Sequence, residues 1–441
     1  MIAMMKVMNV GLLGAGTVGA GTFSVLLRNA EEISRRAGRT IRVVAVAEKN
    51  EIRAKEVTHG VCRVVEDAFA VVNDPEVDVI VELIGGCGVA KDLVLQAIAN
   101  GKHVVTANKA LLAMHGNEIF LEAQKNSVIV AFEAAVAGGV PIIKAIREGL
   151  SANHIEWIAG IINGTTNFIL SEMRNNGLEF KAALKEAQRL GYAEADPTFD
   201  IDGIDAAHKI SILSSIAFGT RVQFDKVYVE GIAKLNATDI KYAEELGYRI
   251  KLLGISKRTN EGIELRVHPT LIPAKRLIAN VEGAMNAVVV YGDAVGATLY
   301  CGKGAGAEPT ASAVIADLVD VARMCSADPE HRVPHLAFQP DQLIDLPVLS
   351  ISEVQACYYL RLRVQDKPGV LANVTRILAD EKISIDALIQ KEPGDGEEEA
   401  DLVLLTHLIR EKYINLAIAK IEELSVVVGQ VTRIRMEELN K

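Results

Sequence analysis

The sequence predicts a mixed α/β chain in three parts. First comes a parallel sheet with helices on both faces, then an α+β domain, then a small βαββαβ domain with the ferredoxin-like order. Three observations carry this reading. Short β-rich runs alternate with helical patterns as far as residue 132, a glycine loop follows the first of them, and six elements in βαββαβ order fill the last stretch beyond a proline-rich segment.

The elements follow in order. Residues 7–13, 41–47, 77–83, 103–106 and 128–132 read as strands, with helices at 17–37 and 91–100 among them. Strand–helix alternation at this spacing predicts a parallel sheet over residues 1–137. From 138 to 307 a helix (141–149) leads to a strand (155–162), two helical stretches, and strands including 263–269 and 287–290. Grouped helices and strands of this kind suggest an α+β domain with a largely one-sided sheet. A helix at 308–325 is expected to return to the first domain. Residues 326–354 hold Pro329, Pro334, Pro340 and Pro347 without periodicity, as a linker does. The last domain, 355–436, runs strand 358–365, helix 369–380, strand 383–391, acidic turn 393–399, strand 400–407, helix 412–424 and strand 426–436. The linker makes residues beyond about 355 a separable unit, provided no strand of the preceding sheet comes from the tail.

With 441 residues, the chain is too long for one ordinary core. No apolar run approaches the roughly 20 residues that span a bilayer, so no membrane is expected. The amino terminus reads as a first strand rather than a signal peptide. The formal charge of −10 is spread along the chain and offers no basic surface for nucleic acid. Five cysteines without a C-x-x-C pair argue against a disulfide framework or a thiolate zinc site and fit a reducing cytoplasm. The histidines lack H-E-x-x-H spacing, so no transition-metal site is visible.

Gly14, Gly16 and Gly19 form G-x-G-x-x-G between a strand and a helix. Gly14 allows a tight turn, Gly16 lets the backbone approach a pyrophosphate, and Gly19 permits close helix–strand packing. Thr17 and Val18 open the helix whose free N–H groups take the phosphates. The first domain is therefore read as a Rossmann-type NAD(P) domain. Glu48 ends the second strand, where a carboxylate would accept from a ribose 2′-hydroxyl and favour NAD. Lys49, with Arg53 nearby, could instead neutralise a 2′-phosphate. The coenzyme stays open as NAD or NADP.

Lys109 stands just past a strand end, at the edge where open α/β sheets bind ligands. Between Glu194 and Asp205, five carboxylates fall within 12 residues before an apolar helix, and Asp205 and Lys209 share one face of it. On spacing alone this pair fits an exposed helix-start salt bridge equally well. Facing an NAD(P) domain, the acids suit a substrate with an ammonium group, and a lysine could exchange the hydroxyl proton as hydride moves.

Gly11 to Gly19, Val81-Glu82-Leu83-Ile84-Gly85-Gly86, Thr106-Ala107-Asn108-Lys109, Glu133 to Pro141, Gly160-Ile161-Ile162-Asn163-Gly164-Thr165-Thr166-Asn167 and the Asp205–Lys209 helix together resemble the successive motifs of homoserine dehydrogenases, over about three quarters of the chain. The resemblance implies reversible oxidation of L-homoserine to L-aspartate 4-semialdehyde, a step towards threonine, methionine and isoleucine. It implies Lys209 as proton donor and acceptor and Lys109 beside the reacting oxygen and the nicotinamide. Glu194, Asp200 and Asp205 would be the acids of the substrate site. It further implies a monovalent cation, sodium, on Glu133 and the carbonyls of Val136, Gly138 and Val140, and places Gly306 near the coenzyme. The loop of Asp366, Lys367, Pro368, Gly369, Val370 and Leu371 resembles the D-x-P-G-x-L turn of ACT domains, which in this family commonly sense threonine. A homodimer or homotetramer is expected. An amino-terminal aspartate kinase domain, fused to some relatives, is expected to be absent. Cys87 and His208 read as inert or packing groups. Two rivals remain: another NAD(P) amino-acid enzyme, such as a semialdehyde dehydrogenase with a nucleophilic cysteine, and a Rossmann–ACT sensor without turnover.

Overall fold

The computed structural model describes residues 7–391 and 398–440, so most of the acidic turn at 393–399 lies outside the described residues. The chain forms two compact units. The first takes residues up to Gly164 together with Asp205–Val227 and Ala284–Leu346; the second takes Thr165–Ile204, Tyr228–Gly283 and the tail from Pro347.

The first unit is built on six parallel strands in the order Arg63–Val65, Thr40–Ala47, Val7–Leu13, Val79–Glu82, His103–Thr106 and Val130–Ala131. Leu12, Leu13, Val79, Ile80, Val81, Val104 and Val105 are fully buried. Such unbroken apolar runs are what a sheet covered on both faces requires. The expected helix over 17–37 is two helices, Thr17–Arg28 and Ala30–Ala37. Asn29 leaves helical geometry (φ −107°, ψ 20°), and the second helix ends on left-handed Gly38. The short elements Glu51–Thr58, Arg63–Val65 and Ala68–Val72 were not legible in the sequence. Helix Ala307–Met324 buries Val314, Leu318 and Val321 in the same core as the central strands. This unit also holds the antiparallel strands Ile155–Ile161, Met285–Gly292 and Gly296–Lys303 and most of the deeply buried helix Ile204–Phe218.

The second unit contains the hairpin Tyr248–Arg258 and Ile263–Pro273, paired along its whole length. It also contains the tail elements Gln355–Gln365, Val370–Asp380, Ile385–Gln390, Glu399–Thr406, Glu411–Glu422 and Val427–Met436. These form the expected βαββαβ sheet, closed over a core of Tyr358, Leu360, Leu362, Val374, Leu378, Leu404, Ile414 and Ile421. The structure corrects the expectation of a separable tail. Strand Val427–Met436 also pairs in parallel with Ile263–Pro273, Thr270 facing Arg435 and Leu271 facing Met436. The end of the linker is held too, since Ile263 N donates to the Pro347 carbonyl and Leu349 N to that of Ile263. Proline removes donors, but here it did not leave a loose spacer.

Buried ion pairs reinforce that junction. Arg435 lies between both oxygens of Glu411 (2.6 and 2.7 Å) and Glu230 (2.8 Å), while Arg266 bridges Glu264 (2.7 Å) and Glu437 (2.6 Å). Asp239 accepts from Arg361 (2.6 Å) and the Tyr359 hydroxyl (3.1 Å).

Candidate active site

The glycine loop has the geometry its sequence demands. Gly14 is left-handed (φ 96°), and a Cβ there would lie 2.9 Å from the Leu83 carbonyl oxygen. A Cβ at Gly19 would come within 2.0 Å of the Gly14 oxygen, whereas at Gly16 it would meet nothing within 4 Å. Two glycines are thus needed for packing and the third leaves an open backbone, the cradle a pyrophosphate requires at the start of helix Thr17–Arg28. Glu48 Oε2 accepts from Ala15 N at 2.8 Å and Oε1 from Asn50 N at 3.2 Å, so this carboxylate is held against the glycine loop. Lys49 and Arg53 are exposed. Gly306 (φ 121°) precedes helix Ala307–Met324, whose first residue packs on the glycine helix: a Cβ at Gly21 would lie 2.5 Å from the Ala307 oxygen. The chemistry and the open cradle fit a nicotinamide dinucleotide.

Lys109, Asp205 and Lys209 come together in the first unit. Lys109 is the first residue of helix Lys109–Lys125, whose start is capped by Asn108 Oδ1 accepting from Leu111 N at 3.1 Å. Asp205 stands in the first turn of helix Ile204–Phe218, with Lys209 one turn on. Asp205 Oδ2 accepts from Lys209 Nζ at 2.7 Å, and Oδ1 lies 3.1 Å from Lys109 Nζ. Far from an exposed pair, Asp205 and Lys209 have side chains only 6% and 11% exposed. Burial alone would raise the Asp205 carboxyl, but the two ammonium groups and Asn163 hold it well below the usual carboxylate range. Lys109 is more accessible, at 34%.

Two partners of this cluster were not singled out in the sequence. Asn163 Nδ2 donates to Asp205 Oδ2 at 2.8 Å, and the Ile162 carbonyl accepts from Lys209 Nζ at 2.7 Å. Both belong to the stretch Gly160 to Asn167, whose polar run after an apolar strand was the available signal. His208 is pushed down to about 4 by burial and by the lysines, and its ring packs on Phe224. It is neutral near pH 7, as its reading as a packing group requires.

Glu194 and Asp200 belong to the second unit. Glu194 is exposed, its carbonyl accepting from Gln188 Nε2 at 3.1 Å, and Asp200 lies half-buried in the short helix Thr198–Ile201. In the loop read as a cation site, Ala137 and Gly138 are left-handed (φ 55° and 50°). The Glu133 carboxylate is buried and accepts from Ile143 N and Lys144 N at 2.9 and 2.8 Å, and the Val140 carbonyl accepts from Ile142 N. Each oxygen has a second lone pair, so this hard, mostly main-chain donor set is compatible with a monovalent ion. In the tail, Asp366, Pro368 and Gly369 form the turn before helix Val370–Asp380, which Val370 and Leu371 open, with Gly369 left-handed (φ 91°) and Leu371 exposed. Burial raises the thiols of Cys62, Cys87 and Cys357, and Glu82 raises Cys87 further.

The homoserine dehydrogenase family matches residues 141–319, the homoserine dehydrogenase NAD binding domain residues 14–133, and the ACT domain residues 358–426. The homoserine dehydrogenase of Pseudomonas aeruginosa is 61% identical over 436 residues, covering 99% of this chain and 100% of its own. That of Neisseria gonorrhoeae is 60% identical over the same length, with the same coverage. The crystal structure of a homoserine dehydrogenase from Thiobacillus denitrificans is similar with a TM-score of 0.94 and 66% identity, covering 99% of both chains.

Proposed function

The chain belongs to the homoserine dehydrogenase family, and from that premise we propose how its residues divide the reaction, the NAD(P)-dependent interconversion of L-homoserine and L-aspartate 4-semialdehyde. The single observation that carries the proposal is the Asp205 carboxylate set between Lys109 and Lys209. Lys209 exchanges the proton. Its Nζ is aimed by Asp205 and the Ile162 carbonyl, so that the ammonium donates to the aldehyde oxygen in reduction and the amine takes the hydroxyl proton in oxidation. Lys109, the more accessible cation, stabilises the negative charge that develops on that oxygen. Asp205 keeps two like charges together and so acts on the lysines. Glu194 and Asp200 anchor the substrate's ammonium group.

Gly14, Gly16, Thr17, Val18 and Gly19 hold the dinucleotide, with Glu48, Lys49 and Gly306 beside it. When bound, the nicotinamide supplies the acceptor or donor of hydride. The Glu48 carboxylate on the Ala15 amide supports a ribose 2′-hydroxyl, and exposed Lys49 and Arg53 support a 2′-phosphate, so activity with both coenzymes is expected. Glu133 with the Val136, Gly138 and Val140 carbonyls holds a monovalent cation, which a lower melting temperature in sodium-free buffer would reveal. The tail binds an amino-acid effector, L-threonine, at Asp366–Leu371. The enzyme works as a homodimer or homotetramer in the cytoplasm; among the described residues no helix is long and apolar enough to cross a membrane.

The test is homoserine-dependent reduction of NAD+ and NADP+ by the wild-type and Lys209→Ala enzymes. The variant should lose about 10²–10⁴-fold in kcat while binding reduced coenzyme normally, as read by fluorescence titration. Turnover above about a tenth of wild type would remove Lys209 from the proton-transfer role.

A further inference from the structure

We infer that Glu82 is a positioning residue for this reaction, its buried carboxylate setting the turn from which Lys109 projects. The inference rests on the role given to Lys109 above. Glu82 is the last residue of strand Val79–Glu82, between Val7–Leu13 and His103–Thr106, and it is wholly buried. Among the described residues no cation pairs with it. An ionised carboxylate in that position is costly unless hydrogen bonds replace its water, and here they do. Oε1 accepts from Ile84 N at 2.9 Å and Gly85 N at 3.1 Å, and Oε2 from the Thr106 hydroxyl at 2.7 Å.

The Thr106 oxygen in turn accepts from Asn108 N at 3.0 Å. Asn108 caps the Lys109 helix with its side-chain oxygen and donates its amide to the Gly86 carbonyl at 2.6 Å. The bonds thus close a ring that runs from Glu82 through Thr106 and Asn108 to Gly86 and back along the loop of Ile84 and Gly85. Both sides of the ring face the chemistry. One is the loop against which Gly14 packs, through the Leu83 carbonyl; the other launches Lys109 towards Asp205. A neutral residue would serve for packing at the centre of this sheet. A carboxylate is needed only because three donors, two from the following loop and one from the end of the neighbouring strand, must meet at one point.

The link can be cut without touching the loop after Glu82. In Glu82→Gln, the side-chain oxygen can still accept from Ile84 N and Gly85 N, but the amide nitrogen can only donate to the Thr106 oxygen, so the buried hydroxyl proton loses its acceptor and the bond to Thr106 is reversed. Thr106→Val removes the same link from the other side, and Thr106→Ser restores it. Misplacing a catalytic group by about 1 Å can cost a hundredfold. Glu82→Gln and Thr106→Val should therefore each lower kcat with homoserine by about ten- to a hundredfold, leaving the fluorescence-measured Kd for reduced coenzyme within about threefold. Thr106→Ser should recover most of the loss. The double variant should be little worse than either single one, because both cut one link. In a Lys109→Ala background, Thr106→Val should cost nothing more.

A Thr106→Val enzyme with kcat close to wild type would overturn the inference, and so would equal failure of Thr106→Ser. So would a further full loss on top of Lys109→Ala, the mark of a purely structural residue. If Lys109→Ala itself keeps its kcat, the role of Lys109 falls and the inference falls with it. If Lys109→Ala is inactive while Thr106→Val is not, the inference alone fails. Melting temperatures measured on the same full-length proteins separate lost enzyme from lost rate.

Discussion

At the scale of single residues, the site works by compensating burial with charge. Asp205 is anionic because two ammonium groups face it, and each lysine is held near the other because Asp205 lies between them. Asp205→Asn should therefore reduce kcat by about a hundredfold or more. Exposed Glu194 has no such duty, so Glu194→Gln should raise the KM for homoserine and leave coenzyme affinity unchanged. Steady-state kinetics on the two variants checks this split, and a loss confined to coenzyme affinity would remove both acids from the substrate site. Buried histidines add to the response to acid. Burial lowers His103, His208 and His335 to about 4, helped at His103 by Arg332 and at His335 by Arg147 and Arg332. Unfolded, each returns to about 6.5. Between pH 6.5 and 4 the unfolded chain binds more protons, so stability present above pH 6.5 is lost as the pH falls. Each histidine adds a slope of up to about 1.4 kcal/mol per pH unit. His335 Nε2 accepts from Val130 N at 3.1 Å, a bond that glutamine can replace. His335→Gln should flatten the pH dependence of denaturant midpoints between pH 7 and 5; an unchanged slope would exclude His335 as a contributor.

Secondary-structure elements matter here chiefly through their ends. The glycine helix begins where Gly16 leaves its first amides open, the Lys109 helix where Asn108 caps it, and the tail helix Val370–Asp380 at left-handed Gly369. A side chain on Gly369 would meet nothing within 4 Å, so the constraint there is backbone conformation rather than crowding. Valine is excluded from φ 91° whereas asparagine tolerates the left-handed region. Gly369→Val should thus weaken threonine inhibition markedly and Gly369→Asn much less, with coupling in the range of about 5–150-fold in affinity. Inhibition curves on the intact variants decide this. Equal loss in both would point to a steric cause, and no loss in either would place the effector elsewhere.

At the scale of the molecule, the tail is keyed into the second unit. It adds a strand to Ile263–Pro273 and supplies Arg435, Glu411 and Glu437 to buried ion pairs. Truncation after residue 354 should uncover that strand edge, take Glu437 from Arg266 and leave Glu230 with no cation, only the Tyr228 hydroxyl at 3.0 Å. We expect an aggregating or strongly destabilised protein rather than a free-standing dehydrogenase. Arg435→Ala, which leaves the buried Glu411 carboxylate only Arg433 at 3.1 Å and the Tyr358 hydroxyl at 3.3 Å, should cost about 3 kcal/mol, the low end for a broken buried pair. Denaturation of the full-length variant and solubility of the truncated one are the checks. A truncated enzyme that melts like the intact one would show the pairing to be incidental.

Local rules were legible in the chain before any fold was known. Alternating apolar runs set the parallel strands, glycines at 14, 16 and 19 set the coenzyme turn, and the βαββαβ spacing set the tail, because each depends on residues adjacent in the chain. The sequence also supplied Lys109, Asp205 and Lys209, since charged residues at a strand end and on one helix face are visible as such. It missed the short elements between residues 51 and 72, whose weak patterns are fixed by packing on the sheet. It could not tell an exposed salt bridge at Asp205–Lys209 from a buried one, or bring Asn163, the Ile162 carbonyl and Lys109 to that pair. Nor could it show that the last strand would join the hairpin ending at Pro273 rather than close only its own sheet. Those outcomes depend on which surfaces lose water together, and that is settled between segments far apart in sequence, where only the tertiary structure decides it.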